Sequence, residues 1–258
     1  MSAIYPDLKS KRALVTGASS GIGLGVAEAL LQQGVRVGVH YHRGRGIAEE
    51  LSRRYAGQAF PLHADLSREE GCLELVRALR GEVGGCEVFV HSAGIWNSGP
   101  IASLTAERLE EMFRVNTFSA FYLVRELLPL LKASGRGSVI LVGSTAGQRG
   151  EEGHSHYAAS KGALQSLAMS LAVELSPEVR TNVVSPGWIR TPMAERTLAS
   201  LGPVLSGTIP NRRVGEIADV VNAVLYLSSE ASAHLLGENL SVSGGALLVV
   251  PRGQIERR

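Results

Sequence analysis

The stretch RALVTGASSGIG, residues 12–23, joins a short apolar run to a glycine-rich turn. The run Ala13–Thr16 predicts a buried strand, and the apolar spacing of Gly23–Gln33 predicts a helix that begins in the turn. Glycines at such a junction let the backbone approach a phosphate group, and the helix N-terminus offers unpaired N–H groups. The stretch therefore favours a nucleotide site, although a tight strand-to-helix turn would need the same glycines. The turn residues that would contact a nucleotide are Gly17, Ser19, Ser20, Gly21, Ile22 and Gly23.

Beyond this stretch, strand-like and helix-like patterns alternate along the chain. Further short apolar runs lie at Val35–Val39, Ala59–His63, Val88–Val90, Val139–Val142 and Thr181–Val184. Helical spacing lies between them, at Glu69–Leu79, Leu104–Lys132, Tyr157–Glu174 and Ile217–Leu227. The alternation predicts βαβ units, and strands that are apolar throughout predict helices on both faces of the sheet. We therefore expect an α/β fold, a Rossmann-type doubly wound parallel sheet flanked by helices on both faces.

No linker or internal repeat divides the 258 residues, so we expect one domain over residues 1–258. One segment has no clean period. Trp188–Leu205 is followed by a dense turn signal at Ser206–Arg213, with glycine, proline and asparagine close together. We interpret residues 188–213 as an excursion from the sheet, where contacts to substrate are common.

The composition excludes several classes of protein. A hydrophobic content of 45% excludes disorder, and a net charge of +2 provides no basic field for nucleic acid. Two cysteines give neither a disulfide framework nor a zinc site, and we expect no bound metal. No apolar run reaches the roughly 18 residues of a membrane span, and the first residues do not resemble a signal peptide. We expect a cytoplasmic protein that works on small molecules without nucleic-acid or membrane partners.

The end of the second predicted strand carries basic rather than acidic residues. In NAD sites an acid about 20 residues past the glycines binds the ribose 2′-hydroxyl. Here Tyr41 occupies that region, and no acid follows before Glu49. Arg43, with His42 and Arg45, could instead hold a 2′-phosphate, because a guanidinium donates two parallel bonds to phosphate oxygens. This predicts NADP(H) in preference to NAD(H), the alternative being a solvated basic loop.

Asp65 follows the third apolar run, with Leu66 beside it. It is a candidate for binding the adenine amino group. The alternative is an ordinary N-cap for the helix that starts after Ser67.

Tyr157 and Lys161 are the strongest chemical signal, because residues four apart share one face of a helix. A nearby ammonium should lower the phenol pKa towards neutrality and make Tyr157 a general acid for an alkoxide formed from a ketone. Ser144 follows a strand and could hold the same carbonyl, and Asn116 lies mid-helix, where it could hold a water beside Lys161. Singly, these residues could be a surface pair, a turn and a solvated amide.

In this order, and after such a glycine turn, these residues resemble those of the classical short-chain dehydrogenase/reductase family over about residues 8–250. The turn matches the family's TGxxxGxG motif, and the resemblance implies that Asn116, Ser144, Tyr157 and Lys161 are a catalytic tetrad. It also implies that the lysine binds the nicotinamide ribose and that hydride passes between the nicotinamide ring and the substrate. The further cofactor contacts that it implies are Asp65, Ala93, Gly94, Tyr157, Lys161, Pro186, Gly187, Ile189 and Thr191.

The chain departs from the family pattern at three places. His91 and Ser92 stand where the family has two asparagines, and we expect a structural role for His91. Ser243 replaces the usual aspartate before the last glycine pair. The segment His40–Arg43 resembles that of pteridine reductases, from which we carry over only the NADPH preference, because those enzymes normally have an aspartate in place of Ser144.

We expect reduction of a ketone to a secondary alcohol in a fairly apolar pocket. The residues expected to wall it are Ile95, Trp96, residues 148–154, Trp188 and residues 192–208, which include the apolar Met193, Leu198, Leu201 and Val204. Arg149, Glu151, Glu152 and His154 are expected at its rim. Oxidation of an alcohol or sugar with NAD(P)+ is an alternative. An enzyme for 3-oxoacyl groups on acyl carrier protein is another, with Arg125, Lys132 and Arg136 as docking residues, although Pro177-Glu178 is acidic where those reductases tend to be basic. A regulator on the same fold would not need the intact tetrad.

The resemblance also implies a homotetramer or homodimer. Its contacts would involve the helices that carry Asn116 and Tyr157, which hold apolar residues such as Phe118, Phe121, Leu164 and Leu167. The same residues would also serve to pack those helices on the sheet.

Overall fold

A computed structural model describes residues 4–248, in which seven strands form one parallel sheet. The strands are β1 Arg12–Thr16, β2 Arg36–Tyr41, β3 Ala59–His63, β4 Val88–His91, β5 Gly137–Val142, β6 Val179–Pro186 and β7 Asn239–Val242. They lie in the order β3-β2-β1-β4-β5-β6-β7, and every neighbouring pair is parallel. The order reverses between β1 and β4, so the carboxyl ends of these two strands flank the crevice where such sheets bind ligands. The predicted fold class is confirmed.

Helices cover both faces of this sheet. They are α1 Gly21–Gln32, α2 Arg45–Arg54, α3 Glu69–Glu82, α4 Ala106–Phe113, α5 Ser119–Lys132, α6 Ala146–Arg149, α7 Ser155–Leu175, α8 Glu195–Thr208 and α9 Ile217–Ser228. A π-helical turn, Arg114–Phe118, joins α4 to α5. Short 3-10 turns lie at Pro6–Leu8, Ile101–Ser103 and Glu230–Ser232. Within residues 4–248, no helix combines the length and the apolar character needed to cross a membrane.

Two apolar cores lie on opposite faces of the sheet. Along β1, Ala13 and Val15 point into the core under α1 and α9, whereas Leu14 points into the core under α3, α5 and α7. Successive side chains of a strand alternate between faces, so a strand covered on both sides must be apolar throughout. This explains the continuous apolar runs in the sequence.

Four features of the fold were not expected from the sequence. The short edge strand β7 and the polar helix α2 lie in segments to which no element was assigned. The predicted helix Leu104–Lys132 is divided by the π-helical turn. The excursion at residues 188–213 contains α8, which has no buried residue. Pro203 lies inside this helix between two further poor helix formers, Gly202 and Gly207, so the sequence of α8 gives no clear helical signal.

Candidate active site

The glycine-rich turn packs tightly against the end of β4. Gly17 has a φ of +66°, and a Cβ at this position would lie 2.9 Å from the Cα of Ala93. A Cβ at Gly23 would lie 2.3 Å from the carbonyl oxygen of Gly17. Both contacts are too close for any side chain. These glycines are therefore needed to bring β1, α1 and β4 together at one edge of the sheet.

His40, which the sequence analysis did not assign to the site, fastens this turn. The Gly17 N–H donates to His40 Nδ1 at 3.1 Å, and His40 Nε2 lies 3.2 Å from the carbonyl of Ala64. Because a carbonyl only accepts, the ring hydrogen is on Nε2. Burial lowers the pKa of His40 to about 4, which keeps the ring neutral. The signal in the sequence was a histidine inside an otherwise apolar strand.

A cavity of about 260 Å³ extends along the carboxyl ends of the central strands, from the glycine turn to α7. Most of the predicted site residues line it. They are Gly17, Ser20, Gly21, Ile22, Gly23, Ala93, Gly94, Ser144, Tyr157, Lys161, Pro186, Gly187, Ile189 and Thr191. The predicted residues outside its lining are Ser19, Tyr41, His42, Arg43, Asp65, Leu66 and Asn116. The cavity thus has a phosphate-binding type of turn at one end and ionisable side chains at the other.

The segment after β2 lies beside the glycine turn. A Cβ at Gly44 would be 2.5 Å from Ser19 Oγ, so the backbone next to Arg43 packs directly on Ser19. Arg43 is exposed, and within residues 4–248 it has no hydrogen bond or ion pair. Arg45, which we expected to help hold a 2′-phosphate, instead forms an ion pair within α2, because its Nε lies 2.7 Å from a carboxylate oxygen of Glu49. Arg43 is therefore the guanidinium that is available at this end of the site.

Two aromatic contacts complete this end. The Tyr41 ring lies 5.4 Å from the ring of His63, and the exposed His42 ring lies 6.3 Å from the same histidine. These three rings form a short wall at the ends of β2 and β3.

Asp65 closes a turn before α3. Its carboxylate accepts bonds from the Ser67 N–H at 3.0 Å and the Ser67 hydroxyl at 2.7 Å, which lower the pKa of Asp65. The N-cap residue of α3 is Arg68, so the N-cap interpretation of Asp65 is wrong. The neighbouring Leu66 is buried in the core.

At the other end, α7 brings Tyr157 and Lys161 against the end of β5. Lys161 is buried, and its Nζ donates to the carbonyl of Val142 at 2.8 Å. Burial lowers the pKa of Lys161 to about 8. Burial also raises the pKa of Tyr157 to about 12, with the hydrogen bond from Ser144 opposing the rise. The expected lowering of the Tyr157 pKa by Lys161 is therefore wrong for this structure, because desolvation of the phenolate outweighs the favourable contacts.

Asn116 lies in the π-helical turn, which is a common device at functional sites. Its Oδ1 accepts from the Ile95 N–H at 2.8 Å, and its Nδ2 contacts the Ile95 carbonyl at 3.0 Å and Ser160 Oγ at 3.1 Å. A Cβ at Gly94 would lie 3.2 Å from Asn116 Oδ1 and 3.3 Å from Lys161 Nζ. The Asn116 side chain therefore ties the loop after β4 to α7.

The outer part of the cavity has an aromatic wall. Trp96 stacks on His154 with ring centres 4.8 Å apart. Trp188 packs edge-to-face with Trp96, and the centres of these two rings are 6.1 Å apart. Other residues of the wall include Ile95, Arg149, Glu151 and Met193. The prediction that Leu198, Leu201 and Val204 line the pocket is wrong, because these residues of α8 are not on its wall. Of residues 148–154, Arg149 and Glu151 line the cavity, whereas His154 stacks on Trp96 without lining it.

The described residues contain no group of three histidine, cysteine or acidic side chains that could hold a metal ion.

Comparison with known proteins identifies the family. Residues 17–246 match a family model described as enoyl-(acyl carrier protein) reductase. The chain is also 31% identical over 247 residues to the 3-oxoacyl-[acyl-carrier-protein] reductase of Escherichia coli (strain K12), covering 94% of this chain and 100% of that protein.

The chain belongs to the short-chain dehydrogenase/reductase family.

Two further known proteins are similar to this chain over nearly its whole length. Nodulation protein G of Rhizobium sp. (strain N33) is 32% identical over 247 residues, covering 94% of this chain and 99% of that protein. A solved short-chain dehydrogenase/reductase from Brucella melitensis, described as a glucose/ribitol dehydrogenase, aligns with a TM-score of 0.90 at 27% identity. This alignment covers 96% of the chain and 100% of that structure. The resemblance inferred from the motifs is thereby confirmed.

The protein is therefore an oxidoreductase, and its family uses a nicotinamide cofactor. The residues present fit such a group. The glycines at positions 17 and 23 leave the turn free of side chains, and the N-terminus of α1 faces the cavity through Ser20, Gly21 and Ile22. Pro186, Gly187, Ile189 and Thr191 would flank the nicotinamide end.

Proposed function

We propose that this oxidoreductase uses NADPH to reduce a free ketone to a secondary alcohol, with Tyr157 as the general acid. The observation that carries the proposal is the convergence of Tyr157, Ser144 and Lys161 on one cavity whose far end is the glycine-rich turn. The proposal assigns the turn to the pyrophosphate and the α7 end to the reacting carbonyl.

Tyr157 and Ser144 would bind the carbonyl oxygen of the substrate. The raised pKa of Tyr157, about 12, keeps the phenol protonated and able to donate as the alkoxide forms. Ser144 Oγ accepts the Ala146 N–H at 3.1 Å, which fixes the hydroxyl in the turn after β5. Two donors aimed at one oxygen stabilise the negative charge that develops there.

Lys161 would stabilise the phenolate that Tyr157 leaves behind. Its Nζ is held by the Val142 carbonyl and lies close to the backbone of Gly94, inside the same cavity. When bound, a nicotinamide dinucleotide supplies the hydride. Asn116 would help to position Lys161, because its side chain joins the Ile95 backbone to Ser160, the residue preceding that lysine.

Arg43 supports a preference for NADP(H). It is exposed beside Ser19 of the glycine turn and, in the described part of the chain, has no partner of its own. Glu49, the first acid after β2, is bonded to Arg45 and so does not compete for a ribose hydroxyl. A 2′-phosphate would give the free guanidinium a strong, charge-assisted partner.

The aromatic wall supports a small, partly apolar ketone as the substrate. Trp96, Trp188 and Met193 give the outer cavity its apolar surface. Arg125, one of the three residues that could dock an acidic carrier, is already bonded to Glu69 at 2.6 Å and to Glu126 at 2.9 Å. This pairing and the acidic Pro177-Glu178 turn favour a free substrate over a carrier-bound one.

Reduction of 3-oxoacyl thioesters on acyl carrier protein is the second candidate. The observation that favours it is the 31% identity to the Escherichia coli enzyme over all of that protein's length. Oxidation of an alcohol or sugar is the same reaction in reverse, and the description of the Brucella melitensis structure favours it.

The test measures NADPH oxidation with two substrate sets in parallel, 3-oxoacyl thioesters and free ketones that include cyclic diketones. Each set is repeated with NADH, and the Tyr157→Phe variant serves as the blank. Turnover of free ketones with NADPH is the expected result. Turnover confined to thioesters would establish the second candidate, and a preference for NADH would contradict the assignment of Arg43.

A further inference from the structure

His91, at the end of β4, is completely buried and hydrogen-bonded on both ring nitrogens. Its Nδ1 lies 3.1 Å from the hydroxyl of Thr16, at the end of β1. Its Nε2 lies 3.2 Å from the hydroxyl of Ser119, the first residue of α5. The imidazole therefore bridges the central strands of the sheet and the helix that follows the π-helical turn.

The partners of the two hydroxyls determine where each hydrogen lies. Thr16 Oγ1 accepts the N–H groups of Ser92 and Ala93, both at 3.1 Å, so its own hydrogen must point to His91 Nδ1. Ser119 Oγ donates to the carbonyl of Val115 at 2.7 Å, so it can only accept from His91 Nε2. The bonds are mutually consistent only for a neutral imidazole with its hydrogen on Nε2.

Each end of this bridge reaches a different part of the site. On the Nδ1 side, Thr16 orients the two N–H groups of the turn that leads to Gly94, on the cavity wall. On the Nε2 side, Ser119 caps the Val115 carbonyl within the π-helical turn that carries Asn116. Burial, followed by the charge of Lys161, lowers the pKa of His91 to about 3, and the nearby main-chain carbonyl of Asn116 opposes this with a smaller rise.

We propose that His91 is a positioning residue that sets the dinucleotide-facing turn through Thr16 and the Asn116 turn through Ser119, and that it does so only as the Nε2–H tautomer. His91 touches neither substrate nor cofactor in this proposal. The proposal extends the proposed function, but its binding and spectroscopic tests do not depend on which substrate is reduced.

Two substitutions separate the two ends of the bridge. Asparagine places a polar atom near the position of Nδ1, and glutamine places one near the position of Nε2. His91→Asn should keep the affinity for NADPH and lower kcat, whereas His91→Gln should weaken NADPH binding with a smaller effect on kcat. Each loss should be roughly three- to tenfold, as expected from one neutral hydrogen bond. Equal losses of both quantities in the two variants would overturn the proposal.

A mutant cycle tests the Ser119 end on its own. Ser119→Ala should lower kcat in the wild-type background and have no further effect in the His91→Asn background, because the bond is already absent there. Additive losses would show that the two residues act independently and would overturn the coupling. NADPH affinity is measured for all four proteins by fluorescence titration, and thermal melting confirms that each is folded.

The tautomer can be observed directly in the unmodified protein. In ¹⁵N NMR spectra of protein labelled at its seven histidines, the His91 signals are those that vanish in His91→Asn. One protonated and one unprotonated ring nitrogen, with the hydrogen on Nε2, is the expected result. A doubly protonated ring at neutral pH, or a hydrogen on Nδ1, would overturn the proposal. If the wild-type protein reduced no ketone, this result and NADPH affinity would still decide the role of His91.

Discussion

The Nζ atom of Lys161 donates a 2.8 Å hydrogen bond to the main-chain carbonyl of Val142, which joins α7 to the carboxyl end of β5. Both residues are buried, and Lys161 has no carboxylate partner among the described residues. The lysine is therefore held in place by a neutral acceptor, while its charge is destabilised by burial. This combination of fixed position and lowered pKa underlies the predicted pH dependence of the reaction.

Tyr157→Phe should fold normally, bind NADPH and lose at least about a hundredfold in kcat, because general-acid catalysis typically contributes that much or more. The measurement is steady-state ketone reduction together with fluorescence titration of NADPH. A parallel loss of NADPH affinity would indicate that the tyrosine has a structural role instead.

The rate of reduction should fall with rising pH because of Lys161. Its pKa is lowered from 10.5 to about 8, so the stabilising charge is present below pH 8 and is lost above it. Tyr157, whose pKa is raised to about 12, stays protonated throughout this range. We expect initial kcat/KM values to decrease above about pH 8. A profile that stays flat to pH 10 would show that the charge of Lys161 is not used.

Arg43→Ala should weaken NADPH binding and leave NADH binding unchanged. Loss of a hydrogen-bonded charge pair corresponds to roughly a 10- to 100-fold increase in Kd for NADPH. Arg53→Ala is the matched control, because Arg53 is an exposed arginine on the neighbouring helix α2. Equal effects of the two substitutions would reduce the role of Arg43 to general electrostatic attraction.

Arg180→Met should destabilise the protein without changing its site. The buried guanidinium donates to the carbonyls of Leu227, in the last turn of α9, and of Ser229 and Ser232, which follow the helix, at 3.0 to 3.2 Å. Methionine would remove these charge-assisted hydrogen bonds, so we expect the melting temperature to fall by roughly 5 to 10 °C. The exposed Arg77 gives the control, and Arg77→Met should shift the melting temperature very little. A similar shift for both would contradict the assigned role.

We also predict that the chain forms a homodimer or homotetramer. Val173 on α7 is 82% exposed and Met169 is 54% exposed, and Phe118 and Phe121 are exposed at the start of α5. Exposed apolar surface of this kind is typical of an interface. Leu164 and Leu167, in contrast, are buried within the subunit and pack on the sheet.

Light scattering after size-exclusion chromatography should therefore give a mass of two or four chains. Val173→Glu should reduce that mass, whereas Ile47→Glu, on the distant helix α2, should not. A monomeric wild-type protein would contradict the prediction.

The glycine turn and the alternating apolar runs were sufficient to predict the sheet and its helical cover. Both signals are local, because strand and helix periods are written over a few neighbouring residues. The spacing that places Tyr157 and Lys161 on one helix face is also a local signal. The motifs therefore led to the family before any distance was known.

What only the tertiary structure decided depends on residues far apart in the chain. His91 and Thr16 are 75 positions apart, and His40 and Gly17 are 23 apart, so their hydrogen bonds leave no local pattern. Burial works in the same way. The pKa of Tyr157 rises to about 12 because the folded chain buries the phenol, whereas the nearby Lys161 in the sequence had led us to expect a lowered pKa. Periodicity is a property of the local sequence, whereas desolvation and hydrogen-bond partners are properties of the assembled core.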